Sequence, residues 1–200
     1  MWTAGMVIPI WDWENKGGIM QELVDGLRET GSISMSGPLL GFDIEAMKLL
    51  LDRKLTKSGA ELLFHTTFAL PLMEGSRVCG VIVENKSGRQ AYRAGCVIDC
   101  TGDGDLAHMA DVPMQPNPDG ELQPSSYCFI LSGVDTESEL LNRCMYHNGI
   151  NGPSQCKPVR EKLLAMKAAG ADLPDFGGPW FNNVMHKGSV AVNITRRAAD

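Results

Sequence analysis

No block of about five or more basic residues occurs in this 200-residue sequence, and its formal net charge is −6. A nucleic-acid-binding surface is therefore not expected. No apolar stretch approaches the ~18 residues that a membrane span requires. Met1-Trp2-Thr3-Ala4-Gly5 lacks a basic n-region, so no secretory leader is read there. The chain has no G-x-S-x-G, H-E-x-x-H, Walker A or EF-hand pattern and no internal repeat, which leaves hydrolase and nucleotidase readings without support. The six cysteines (Cys79, Cys96, Cys100, Cys128, Cys144 and Cys156) form no C-x-x-C pair and show no disulfide rhythm. A reducing cytoplasm fits that pattern best. Cys96, Cys100 and Cys128 sit in apolar, strand-like runs and are expected as small buried hydrophobes. Cys144 with His147 would make half a metal site, but no second pair stands at ligand spacing, so no metal is expected.

What the chain does contain is enough apolar residue, 44%, for one domain with a real core or for two small ones. Its organising stretch runs from Ala94 to Ala107. Cys96, Val97, Ile98 and Cys100 form a short apolar run without helical period, and glycines bound it on both sides. Such a run predicts a strand buried on both faces of a mostly parallel sheet. Thr101-Gly102-Asp103-Gly104 breaks it, and a short helix is predicted from Asp105. In open α/β sheets, ligands bind at a turn of this kind.

Gly102-x-Gly104-x-x-Ala107 also fits the dinucleotide fingerprint G-x-G-x-x-G/A. Its context does not. Glu121 has the spacing of the ribose-binding acid, yet it follows Pro113, Pro116 and Pro118, which rule out a crossover helix and a returning strand. Asp103 and Asp105 are read as capping the next helix, and both would repel a phosphate.

Elsewhere, Ile19, Leu23 and Leu27, with Met20 and Val24, predict an amphipathic helix over Gly18 to Glu29, ended by Gly31. Asp43 is read as the cap of a second helix whose apolar stripe is Ile44, Met47, Leu50, Leu51 and Leu55, and Gly59 stops it. Arg77 to Glu84 and Gly88 to Arg93 read as a hairpin. Pro113, Pro116, Pro118 and Pro124 mark a linker. Beyond it come a strand over Ser126 to Gly133, helices over Glu137 to His147 and Val159 to Ala169, and a final strand over Gly188 to Arg196. The apolar opening, Gly5 to Trp13, reads as a hydrophobic arm tucked onto the body, and Trp11 and Trp13 should be covered.

The block Ala91-Tyr92-Arg93-Ala94-Gly95-Cys96-Val97-Ile98-Asp99-Cys100-Thr101-Gly102-Asp103-Gly104-Asp105-Leu106-Ala107 resembles the R-A-x-x-V-I-D-A-T-G-D-G-D-L-A segment of bacterial FAD-dependent oxidoreductases. Those two-domain flavoproteins are distantly similar to glutathione reductase and fumarate reductase flavoproteins, and Cys100 stands where they usually have alanine. The resemblance extends to Phe42-Asp43-Ile44-Glu45, to Ala60-Glu61-Leu62-Leu63-Phe64-His65-Thr66-Thr67, which it implies is a strand, to the hairpin, and to Gly188-Ser189-Val190-Ala191-Val192-Asn193-Ile194-Thr195-Arg196. It does not extend to the family's N-terminal βαβ unit with its glycine loop; the resemblance implies that Gly5 to Trp13 is the loop after that unit, near the flavin ring.

The fold class this implies is α/β: a partial FAD/NAD(P)-binding three-layer fold of parallel sheet, helices and β-meander over 1–112, a linker at 113–125, and the start of an α+β substrate domain over 126–200. FAD is the implied cofactor and flavin-mediated hydride or electron transfer the implied activity. Thr67, Phe68 and Ala69 would meet the adenine, and Cys100, Thr101, Gly102 and Asp103 would run beside the ribose or pyrophosphate. Arg196 would pair with an acidic small-molecule substrate. The resemblance leaves two alternatives open: a truncated reading frame, or a subunit completed by a second chain that supplies the βαβ unit; the first would leave the isolated chain inactive. The rival reading, a non-enzymatic α/β binding or structural domain without redox cofactor, rests on the missing glycine loop and on the carboxylates of Asp99, Asp103 and Asp105.

Overall fold

A computed structural model describes residues 10–11, 13–36, 39–115, 124–144, 156–183 and 186–197. The chain forms two compact units, one made of Met1–Ala60 with Leu122–Asp200, the other of Glu61–Glu121.

The first unit begins with β1 (Ile10–Trp11), a 3-10 turn at Trp13–Asn15, α1 (Gly18–Glu29), β2 (Ile33–Ser36), β3 (Leu39–Phe42) and α2 (Ile44–Lys57). Strand β3 lies between β1 and β2, antiparallel to both. The stripe that α1 buries is Met20, Leu23, Val24 and Leu27, spaced i, i+3, i+4, i+7. Ile19, expected on that stripe, is exposed instead, one step off it in the helix's first turn. Phe42, Met47 and Ile10 close the same core. Phe42 and Met47 are fully enclosed, and burying each contributes roughly 1.5–3 kcal/mol. Asp43 caps α2 as expected, its Oδ1 accepting from the Ala46 amide at 2.9 Å.

The same unit contains β7 (Cys128–Ser132), α4 (Glu139–Cys144), α5 (Lys157–Ala168), β8 (Phe176–Asn183) and β9 (Ser189–Thr195). Strand β9 is central and antiparallel to both neighbours. Val190 and Val192 point to one face and pack with Leu141, Phe129, Val134, Phe181 and Ile194. Ala191 points to the other face and meets Ile44 at the start of α2. Asp43 Oδ2 lies 3.5 Å from His186 Nε2 beside that contact. Arg160 Nη1 donates to the carbonyls of Gly177 and Gly178, both at 2.7 Å, with its guanidinium over the Phe176 ring. Cys156 is disulfide-bonded, which departs from the reading that the cysteines carry no bridge.

The second unit is a meander of β4 (Thr67–Glu74), β5 (Arg77–Asn85) and β6 (Gly88–Arg93), followed by α3 (Asp105–Met109). The hairpin falls where the turn residues placed it: Asn85 pairs with Gly88, and Asn85 Oδ1 accepts from the Ser87 amide at 2.8 Å. Two expectations fail here. Residues 61–66 form no strand, His65 takes a positive φ of 52°, and the strand starts only at Thr67. Residues 94–100 form no strand either. Ile98 is 80% exposed, and Cys96 and Cys100 are exposed rather than buried. The Ala94 amide donates to the Cys79 carbonyl as the last rung of the hairpin, and beyond it no strand among the described residues lies alongside. An apolar run gains a strand's stability only from a neighbour that pairs its backbone. All strand pairs among the described residues are antiparallel, so the parallel sheet and its three layers are not found there. What the chain has is a mixed α/β build with small antiparallel sheets. No described helix is long and apolar enough to cross a membrane.

Gly80 has a φ of 155°, and a Cβ there would stand 2.0 Å from the Tyr92 carbonyl oxygen on β6. Gly80→Ala is expected to destabilise the protein by about 3 kcal/mol or more, from strain and overpacking together. The urea-unfolding midpoint checks this, and an unchanged midpoint would contradict the Gly80↔Arg93 register.

Candidate functional site

The turn at 99–107 is built around one side chain that the sequence reading did not select, Asp99. Its Oδ1 accepts from the Thr101 amide at 3.0 Å and from the Thr101 hydroxyl at 2.8 Å. Its Oδ2 accepts from the Ala107 amide at 3.0 Å, inside the first turn of α3. The Thr101 hydroxyl oxygen in turn accepts from the Asp105 amide at 2.9 Å. The amide of Thr101 first, then the amide of Ala107 and the Thr101 hydroxyl, hold the Asp99 carboxyl below the usual aspartate range. Asp103 and Asp105, expected as the caps, are exposed, and Asp99 with Thr101 satisfies the helix amides in their place. The signal was present in Asp99-x-Thr101, the spacing at which an aspartate side chain bonds the backbone two residues on.

Gly102 has a φ of 101°, a conformation that glycine alone adopts without strain, and a Cβ built on it meets nothing within 4 Å. Cys100, Thr101, Gly102 and Asp103 are all exposed, so this stretch turns an open face outward. Thr67 and Phe68 lie at the start of β4, opposite Glu84 and Val83, and Ala69 sits in the register shift between Phe68 and Leu70, without a paired residue. Helix α3 packs against β4, so one unit holds both of the segments read as cofactor-facing. Arg196 belongs to the other unit, directly after β9. Its amide donates to the Asp175 carbonyl at 2.8 Å, and among the described residues its guanidinium meets no carboxylate. No group of three or more His, Cys, Asp or Glu able to hold a metal occurs among the described residues, and His147 of the Cys144–His147 pair falls outside them.

This segment, hairpin and final strand coincide with a family match that runs over residues 1–199 and is described as FAD dependent oxidoreductase. The chain belongs to that family. No curated protein and no solved structure matches it. The family's cofactor is FAD and its function is flavin-dependent redox chemistry. The turn of this FAD-dependent oxidoreductase chain fits one part of that cofactor and not another. An open backbone face suits sugar hydroxyls. The amides of α3 do not suit the pyrophosphate, because Asp99 and Thr101 already hold those of Asp105 and Ala107.

Because its folded pKa is lowered, Asp99 contributes stability that is present above the ordinary aspartate range and lost as pH falls through the folded value. Glu74 beside Arg93 and Asp175 beside Lys167 are held low as well, so the wild-type curve alone does not isolate Asp99. The stability difference between wild type and Asp99→Asn is expected to narrow on acidification below pH ~5. Urea unfolding of both proteins across that range measures it; a difference that widens would contradict the assignment.

Proposed function

We propose that this chain forms part of the FAD site and part of the substrate surface of an oxidoreductase that transfers hydride or electrons between the flavin and a small-molecule substrate. The observation that carries the proposal is the family match over 1–199, within which the Thr101–Asp103 turn presents its open face. On this reading residues 1–112 belong to the FAD-binding part, 113–125 connect, and 126–200 begin the substrate-facing part. Thr67, Phe68 and Ala69 meet the adenine through backbone groups. Cys100, Thr101, Gly102 and Asp103 line the ribose side, and Asp103 accepts from a hydroxyl rather than touching phosphate. Bound FAD supplies the redox chemistry, while the chain's own residues bind and orient.

A second polypeptide carrying a glycine-loop βαβ unit is part of the proposal. The unpaired apolar run at 96–100 supports it, since a strand laid beside that run would cover Ile98 and pair its backbone. Arg196 is proposed to pair with a substrate carboxylate.

Two measurements test the reading. Because the α3 amides are occupied, the chain alone is expected to bind FAD weakly, with a Kd above about a micromolar, and a βαβ-bearing polypeptide should tighten it. Submicromolar binding by the chain alone would refute the division of the site. For the substrate side, small carboxylic acids should bind to the FAD-loaded protein, and Arg196→Ala should weaken the best of them about tenfold or more. Equal affinity in the two proteins would remove Arg196 from the site.

A further inference from the structure

Two of the four residues from Thr101 to Gly104 are glycines, at φ 101° and 75°. Glycine permits those shapes but does not hold them, since it visits many other conformations as readily. The hold comes from outside the turn. Asp99 engages both of its carboxylate oxygens with the chain's own donors, Thr101 on one side of the turn and Ala107 on the other. Thr101 then closes the loop onto Asp105. The glycine turn is thus bridged from its entry to the first turn of the following helix by one carboxylate and one hydroxyl.

We propose that Asp99 is a positioning residue: it fixes the backbone of Thr101, Gly102 and Asp103 in the shape that meets FAD, without touching the cofactor. This rests on the reading of that turn given under Proposed function. The carboxylate points its acceptors inward, which leaves the outer face of the turn free. A turn held in one shape before binding avoids the entropy of ordering it at that moment. If the competent shape is populated only in part, the apparent affinity falls by that fraction.

Asp99→Asn separates the contacts. The asparagine oxygen can still accept from Thr101, but its NH2 group replaces Oδ2 and faces the Ala107 amide, donor against donor. Hydrogen–deuterium exchange of the FAD-free protein should show faster exchange at Ala107 in the variant, with β4–β5–β6 unchanged. In FAD titrations read by exchange protection of the same turn, the variant should need about tenfold more FAD, as expected if the competent shape falls to roughly a tenth of the population. Thr101→Val should act in the same direction and Thr101→Ser should restore wild-type behaviour, so the outcome does not hang on one variant. Unchanged exchange at Ala107 would overturn the positioning role whatever the cofactor result. Faster exchange with unaltered FAD affinity would make Asp99 purely structural and also overturn it. A wild-type protein that shows no protection at millimolar FAD would instead refute the reading of the turn on which the proposal stands.

Discussion

Backbone pairing is the constraint on which this structure depends. Each of the three small sheets among the described residues places one strand between two antiparallel neighbours: β3 between β1 and β2, β5 between β4 and β6, β9 between β7 and β8. In each, a central strand has both edges satisfied, and the buried side chains gather around it: Phe42 on β3, Cys79 and Val83 on β5, Val190 and Val192 on β9. Where pairing stops, burial stops too. After the rung at Ala94 the chain carries Cys96, Ile98 and Cys100 into solvent although their composition favours an interior.

That constraint shapes the candidate turn at 99–107. With no strand alongside among the described residues, residues 95–100 draw no rigidity from a sheet there, and local side-chain bonds fix the turn that follows. Asp99 does with three hydrogen bonds what a flanking strand would otherwise help to do. The arrangement has an electrostatic side. A carboxylate that neutralises the amide dipoles of α3 from within makes the turn a poor host for phosphate and leaves the backbone of Thr101, Gly102 and Asp103 as its open surface.

How much of this was legible depended on whether the deciding contact was local. Helix α1 over Gly18–Glu29, the Asp43 cap and the hairpin at Asn85–Gly88 were all readable, because capping bonds and turn bonds span only a few residues. Strand 94–100 was misread because its fate rests on a partner that a period-two or all-apolar pattern cannot reveal. The segment before Thr67 failed for the same reason, with His65 adopting a positive φ in place of an extended one. Among the candidate site residues, Thr101 and Gly102 stand out through their turn chemistry and the resemblance. Asp99 is hard to pick out because it sits inside the apolar run that reads as a strand, whereas the more exposed Asp103 and Asp105 stand where caps are expected.

The seam at Asp43 and Ile44 bears on the order of assembly. The first unit's core between Ile10 and Leu51 and its later core between Phe129 and Ile194 are each local in sequence. Among the described residues, the buried contact joining them is Ile44 with Ala191, flanked by Asp43 and His186. Between the two stretches lies the whole of the second unit. During synthesis the α1–α2 layer and then the meander can form from contacts already in hand. The docking of β9 onto the head of α2 must close a loop of well over a hundred residues, and it therefore comes last and is the step most exposed to competition from other apolar surfaces.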